Sequence, residues 1–157
     1  MMSVDLGGPV NKAAYTFGTG MLAEGHYEIM AAVMIGGMVA PLAIALLATF
    51  FPKKLPQKER QAGLLNYVMG LSFISEGAIP FASADPIRVL PACVIGSAVS
   101  GALSMAFNCS LMAPHGGIFV LPLIGNWFWY VVALVVGSFV AMAIMAALKK
   151  NVWEKSL

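Results

Sequence analysis

The chain has 157 residues, of which 60% are hydrophobic and 10% are charged, and its net charge is +2. A soluble domain carries about 25% charged residues, so this composition, with a mean hydropathy of +0.86, indicates an integral membrane protein. The small net charge, spread over loop ends, argues against nucleic acid as a partner. The two cysteines, Cys93 and Cys109, are too far apart to bridge within one span, and no metal-ligand or cofactor motif accompanies them.

The first part of the chain, residues 1–28, is polar and rich in glycine before it becomes weakly amphipathic at residues 13–22. This pattern predicts a loop followed by a helix that lies in the membrane interface. Three ionisable residues precede the first apolar stretch and are interpreted as solvated at its mouth: Glu24, His26 and Glu28.

Three stretches are apolar over at least the 20 or so residues that a membrane-spanning helix needs. They are residues 29–51, 89–113 and 126–148. The first contains Pro41 and a pair of glycines, Gly36 and Gly37, which predict a kink or close packing. The second carries small residues at intervals of four: Gly96, Ser100 and Ser104. Such a stripe is typical of close helix approach.

Lysine and arginine residues orient the chain, because cytoplasmic loops are enriched in them. They cluster between the first two spans and after the last one: Lys53, Lys54, Lys58, Arg60, Lys149, Lys150 and Lys155. Both clusters are expected in the cytoplasm, so the chain between them must cross the membrane an even number of times. The second and third spans already supply that number, so residues 61–88 are predicted to form a re-entrant helical hairpin. The predicted fold is an all-α membrane protein with about three transmembrane helices, this hairpin and an N-terminal interfacial helix.

Glu76 lies in the predicted hairpin, within an apolar segment and beside Gly77 and Pro80. An ionisable group at membrane depth is costly unless it faces a cavity or a partner. Irregular backbone inside a membrane is tolerated only where it is buried in protein or lines a wet cavity. The hairpin tip is therefore predicted to bind a polar solute through Glu76, the alternative being a structural ion pair or a contact with backbone.

Residues 114–125 are predicted to be an irregular loop, because Pro122 and paired glycines interrupt them. His115 in this loop is either a satisfied loop residue or a functional contact. An aromatic group opens the last span and predicts an interfacial belt, with stacking on a sugar ring as the alternative: Trp127, Trp129 and Tyr130. Asp85 and Arg88 lie three residues apart and either pair with each other or leave Arg88 to dock a cytoplasmic partner.

Four segments, in this order along the chain, resemble the fructose-type IIC membrane domain of the bacterial phosphoenolpyruvate-dependent sugar phosphotransferase system. They are Asp5-Leu-Gly-Gly-Pro-Val-Asn-Lys-Ala-Ala14, Ile74-Ser-Glu-Gly-Ala-Ile-Pro-Phe-Ala82, Ala84-Asp-Pro-Ile-Arg88 and Ala113-Pro-His-Gly-Gly117. The family's domain is much longer, so the chain resembles its C-terminal half. The family form associated with the second segment is Ile-Thr-Glu, and Ser75 keeps the hydroxyl.

The resemblance implies a sugar-binding permease domain that holds fructose or a related sugar while a cytoplasmic IIB domain passes phosphate from a cysteine to a sugar hydroxyl. It implies that Glu76 accepts hydrogen bonds from the sugar, with Ser75 and Gly77 beside it, His115 as a second polar contact and Asn11 lining the same cavity. The chain itself supplies no catalytic residue, and no set of nucleophile and base is present.

The resemblance further implies a multi-pass protein of the bacterial cytoplasmic membrane whose C-terminus is cytoplasmic. The expected partners are the lipid bilayer, the sugar, a phosphorylated IIB domain and the missing N-terminal half, with a homodimer when complete. The alternative is a non-transporting membrane remnant, or a structural or regulatory partner of a complete permease.

Overall fold

The computed structural model describes residues 1–149, so Lys150 and Lys155 lie outside the described residues. The α-helices are α1 (Pro9–Ala23), α2 (Tyr27–Phe50), α3 (Gln57–Leu71), α4 (Ile79–Ala84), α5 (Pro86–Ala106) and α6 (Trp127–Leu148). Short 3-10 helices cover Pro52–Lys54, Ser75–Ala78 and Ile118–Leu123. Two strands of two residues, β1 (Ser110–Leu111) and β2 (Ile124–Gly125), pair antiparallel. The predicted all-α class is confirmed, with this small strand pair as an addition.

Helices α2, α5 and α6 are each long and apolar enough to cross a membrane, which confirms the three predicted spans. Their apolar stretches differ in burial: α2 is 78% buried, whereas α5 and α6 are 33% and 44% buried. Helix α2 is therefore the inner helix against which the others pack, and much of the surface of α5 and α6 faces outward.

Small residues join α5 to α6. A Cβ atom built on Gly96 would lie 2.5 Å from Ala141 Cβ and 2.6 Å from the carbonyl oxygen of Gly137. One turn further along α5, the Ser100 hydroxyl donates to the carbonyl oxygen of Ala133 at 2.8 Å. The two helices thus run antiparallel with their backbones in close contact, and the packing role predicted for the small-residue stripe is confirmed.

Helix α5 ends at Ala106, earlier than the predicted end of the span at residue 113. Asn108 has a positive φ of 53°, a conformation that ends a helix and that asparagine adopts more readily than most residues. The side-chain amide of Asn126 donates to the carbonyl oxygen of Asn108 at 3.3 Å and so stabilises this helix end. The chain then enters β1, and both cysteines are buried and unbridged.

The three aromatic residues predicted as a belt at the start of α6 differ in their exposure. Trp127 and Trp129 are exposed, as an interfacial belt requires. Tyr130 is fully buried, and its hydroxyl donates to Met38 Sδ at 3.8 Å. Its assignment to the belt is wrong, because successive helix positions point about 100° apart and residue 130 faces the inner helix α2.

Candidate functional site

The segment that carries Glu76 is brought to the middle of α2 by helix α3. A Cβ atom on Gly63, near the middle of α3, would lie 2.8 Å from Ala48 Cβ near the end of α2. Beyond the end of α3, the ring of Phe73 comes so close to Gly37 that a Cβ atom there would lie 2.6 Å from Phe73 Cε2. Helix α3 therefore runs antiparallel to α2, and the chain reaches the central part of α2 when it leaves α3.

The break between α3 and α4 is a compact turn, residues 72–78. Phe73 has a positive φ of 60°, which ends α3, and a 3-10 helix follows at Ser75–Ala78. Pro80 lies in the first turn of α4, where its missing N–H leaves no hydrogen bond unmade. Within the turn the side chain of Ser75 is buried, whereas that of Glu76 is exposed.

The N-terminal segment packs directly against the acidic side chain. Gly7 has a φ of +107°, and a Cβ atom on it would lie 2.9 Å from Glu76 Oε1. The carboxylate of Asp5 accepts the backbone N–H of Asn11 at 3.0 Å and so holds the first turn of α1. The Asn11 side chain donates to the carbonyl oxygen of Met2 at 2.8 Å. Asn11 thus fixes the fold of the segment that contacts Glu76.

The loop that contains His115 also reaches this region. The hydroxyl of Tyr15 donates to the carbonyl oxygen of Pro114 at 2.6 Å, which ties the loop to α1. Gly116 lies against the ring of Phe73 so closely that a Cβ atom there would overlap it. The exposed His115 makes its own hydrogen bond within the loop, between Nδ1 and the carbonyl oxygen of Gly116 at 2.8 Å.

Three of the four segments that carry the resemblance therefore meet at the turn of residues 72–78. The fourth lies at the junction of α4 and α5, where Arg88 donates to the Asp85 carboxylate at 3.0 Å. The predicted pairing of these two residues is confirmed.

Sequence reasoning missed Asn66, which lies on α3 and is 1% exposed. Neither its Nδ2 nor its Oδ1 has a hydrogen-bond partner within residues 1–149. Each buried polar group left unpaired costs about 1–3 kcal/mol. A Cβ atom on Gly77 would overlap Asn66 Oδ1, so this amide lies directly beneath the acidic turn. The signal available in the sequence was a single polar residue, Asn66, in the apolar second half of the helix that leads to Glu76.

Two cavities of about 320 Å³ lie elsewhere in the fold, one of them between α2, α3 and α6 and the other between the N-terminal segment, α2 and α5. Their walls are mainly apolar, and Glu76 lines neither. The carboxylate instead faces outward from the described part of the chain. It is therefore accessible to a further segment, a partner or a ligand.

Comparison with known proteins identifies relatives along nearly the whole chain. The sequence is 55% identical to the "PTS system fructose-specific EIIB'BC component" of Vibrio cholerae, over 100% of this chain and 28% of that protein. It is 51% identical to the "Fructose permease IIC component" of Bacillus amyloliquefaciens, over 99% of this chain and 51% of that protein. For the "PTS system fructose-specific EIIC component" of Haloferax volcanii the identity is 48%, over 96% of this chain and 40% of that protein. No protein-family model and no solved structure matches the sequence.

The class defined by the fold is an integral membrane protein built from apolar helices, with a short turn that carries Glu76 between α3 and α4. Within that class the chain is a homologue of the fructose-specific IIC components of the sugar phosphotransferase system, which confirms the predicted resemblance. The chain spans about half the length of the Bacillus amyloliquefaciens relative and smaller shares of the other two. These relatives do not favour the alternative of a non-transporting remnant.

Proposed function

We propose that this chain is the part of a fructose-type phosphotransferase permease that holds the sugar during uptake and phosphorylation. The observation that carries the proposal is an exposed carboxylate, Glu76, on a helix break beside the middle of the apolar helix α2. A charge in such a place calls for a polar ligand or partner. Fructose is proposed as the sugar because the names of the relatives given above specify fructose.

The course of the chain supports a re-entrant hairpin with Glu76 at its tip. The turn lies beside Gly37, thirteen residues or about 20 Å from the end of α2 that leads to the lysine-rich loop. Helix α5 runs antiparallel to α2, because the Ser97 hydroxyl donates to the carbonyl oxygen of Gly36 at 2.9 Å and Gly101 approaches Ala32. Helix α5 therefore begins near the same end of α2 from which α3 entered. A segment that enters and leaves on one side in this way fits the membrane topology expected from the positive charges.

The proposed site takes its chemistry from groups around this tip. A carboxylate accepts up to about four hydrogen bonds, so Glu76 is suited to bind neighbouring sugar hydroxyls. Ser75 and Gly77 flank it, and His115, on the loop packed against the turn, is the proposed second polar contact. Asn11 contributes as part of the wall, since its hydrogen bond to Met2 holds the segment that touches Glu76.

The proposed phosphate donor is a IIB domain on the cytoplasmic side. The lysine-rich loop and the C-terminus of the chain would lie on that same side. The name of the Vibrio cholerae relative joins B and C parts in one protein, which supports a IIB domain as the partner. The chain would hold the acceptor and the IIB domain would supply the chemistry. Transfer of phosphate adds negative charge beside Glu76, and repulsion in a low-dielectric site would favour release of the product.

The remaining expectations follow from this assignment. The protein would lie in the bacterial cytoplasmic membrane and would be completed by the missing N-terminal half. A homodimer would form once both halves are present. The exposed outward position of Glu76 is compatible with a site that a further segment covers.

The proposal is tested by Glu76→Gln, which keeps the shape of the side chain and removes its charge. The chain is co-expressed with the remaining part of the Bacillus amyloliquefaciens permease and a IIB domain, and fructose uptake and binding are measured. Hydrogen bonds to charged groups contribute about 1.5–3 kcal/mol, so fructose binding should weaken by tenfold or more. Glu24→Gln, at an exposed site before α2, is the matched control and should transport normally. Normal uptake by Glu76→Gln would contradict the proposal.

Thiol labelling tests the environment of the same turn while leaving Glu76 in place. Cys93 and Cys109 are fully buried, whereas Ile74 in the turn is exposed, so a cysteine introduced as Ile74→Cys or, as the control, Glu24→Cys provides the reactive thiol. A charged, membrane-impermeant maleimide should react at residue 74 through water, and fructose should slow that reaction but leave residue 24 unaffected. Equal rates at both positions, with and without fructose, would argue against a sugar site at the turn.

A further inference from the structure

The buried amide of Asn66 is a polar group without a use in the described fold. It is 1% exposed, and both of its side-chain polar atoms lack hydrogen-bond partners within residues 1–149. Buried polar groups are paired in the large majority of cases, so each exception requires an explanation. An apolar side chain of similar size would fill the same space without loss. The amide therefore points to a partner that it meets in another state of the protein.

The position of Asn66 identifies where that partner comes from. A Cβ atom on Gly77 would overlap Asn66 Oδ1 and would lie against the Met69 side chain. Because Gly77 has no side chain, the amide lies against the main chain of the residue that follows Glu76. Asn66 thus lies on the inner side of the turn whose outer side presents the carboxylate.

The tip of the turn has weak backbone hydrogen bonding, although glycine contacts pack closely around the turn as a whole. The tip is a 3-10 helix of four residues, Ser75–Ala78, and such helices have poorer hydrogen-bond geometry than α-helices. The backbone N–H of Gly77 donates to the carbonyl oxygen of Ile74 at 3.4 Å, a long hydrogen bond. Phe73, within the turn and just before the 3-10 helix, has a positive φ of 60°. A small displacement of this segment would open the amide to a ligand bound at Glu76.

We propose that Asn66 is a further sugar-binding residue of the Glu76 site, reached when the turn of residues 72–78 moves as the sugar binds. A carboxamide both donates and accepts hydrogen bonds, so it can bind two neighbouring hydroxyl groups, whereas the carboxylate of Glu76 only accepts. The pair would therefore recognise the arrangement of hydroxyls on the sugar. This inference rests on the function proposed above.

The test is Asn66→Leu, which keeps the branching of the side chain and removes the unpaired amide. In the co-expressed permease, fructose binding should weaken by tenfold or more, and the melting temperature without sugar should stay the same or rise. Asn66→Ala should weaken binding to a similar extent. Ser138→Ala is the matched control, since its hydroxyl is also buried and has no hydrogen-bond partner among the described residues but lies on α6, and fructose binding should not change.

The outcomes are distinguishable from those that test the proposed function. If Glu76→Gln binds fructose normally, the proposed function fails and this inference fails with it. If Glu76→Gln loses binding while Asn66→Leu and Asn66→Ala keep it, only this inference is overturned. A lowered melting temperature in both Asn66 variants also overturns it, because the amide would then be a structural contact.

Discussion

Replacing Gly7 with alanine tests the contact between the N-terminal segment and Glu76. The φ of +107° at Gly7 is one that side chains rarely adopt, and strain of this kind costs about 1–2 kcal/mol. The new Cβ atom would also lie 2.9 Å from Glu76 Oε1 and 3.3 Å from Glu76 Cδ. The carboxylate would have to move. We expect Gly7→Ala to lower the melting temperature and to weaken fructose binding together.

Substitutions at two other glycines serve as controls that separate backbone strain from the contact with Glu76. Gly25 has a φ of +88° with no atom of the described residues within 4 Å of its Cβ position, so Gly25→Ala introduces backbone strain alone. Gly20 lies within α1 and also has open space around its Cβ position. Gly20→Ala should stabilise the protein by roughly 0.5–1 kcal/mol, because alanine is the better helix former. Neither control should change fructose affinity.

The measurements are thermal unfolding of the purified protein and fructose binding by the co-expressed permease. At about 2–4 °C per kcal/mol for a chain of this size, Gly25→Ala should melt roughly 2–8 °C below the wild type. Gly7→Ala should melt at or below that temperature and should alone lose sugar affinity. If Gly7→Ala melts like Gly25→Ala and binds fructose like the wild type, the contact with Glu76 has no functional consequence and the reasoning is wrong.

Two further predictions concern the scaffold around the site. Gly96→Val should destabilise the protein by about 1–3 kcal/mol in thermal unfolding, because the new side chain would meet the backbone of Gly137. Gly101→Ala is the control and should cause no loss of stability, because a Cβ atom fits at that position. Equal melting temperatures of the two variants would refute the close contact between α5 and α6. Arg88→Ala should change the free energy of unfolding by at most about 1 kcal/mol, because the ion pair of Arg88 with Asp85 is partly exposed. If this variant binds fructose normally but loses fructose uptake, that result would support the docking of a IIB domain by Arg88.

The membrane spans could be predicted from the sequence because their length and apolar character are sufficient evidence. The end of α5 was harder to predict, since apolar residues continue past Ala106 and the helix is ended by the backbone conformation at Asn108. Hydropathy does not distinguish apolar residues inside the helix from apolar residues beyond its end. The small-residue stripe on α5 was predictable because the spacing of its members is a property of one helix.

The residues that could not be predicted depend on contacts between distant parts of the chain. Tyr130 is an ordinary interfacial residue by its sequence neighbours, and its burial results from the approach of α6 to Met38 of α2. Asn66 is an ordinary helical residue until the turn folds over it and Gly77 covers its amide. Glu76 was found because a charge in an apolar segment is visible without any knowledge of its neighbours.

Glycines explain how the exposed carboxylate of Glu76 is held in one place, since no hydrogen bond within residues 1–149 fixes it. At four positions around the turn, an added Cβ atom would come within 3 Å of Phe73, Asn66 or Glu76: Gly7, Gly37, Gly77 and Gly116. Gly7, Gly37 and Gly116 bring three other backbone segments against the turn as closely as atoms allow, and Gly77 brings the turn itself against Asn66 of α3. Such packing positions Glu76 through shape. A site organised in this way can bind hydroxyl groups with a carboxylate that no group within residues 1–149 already occupies.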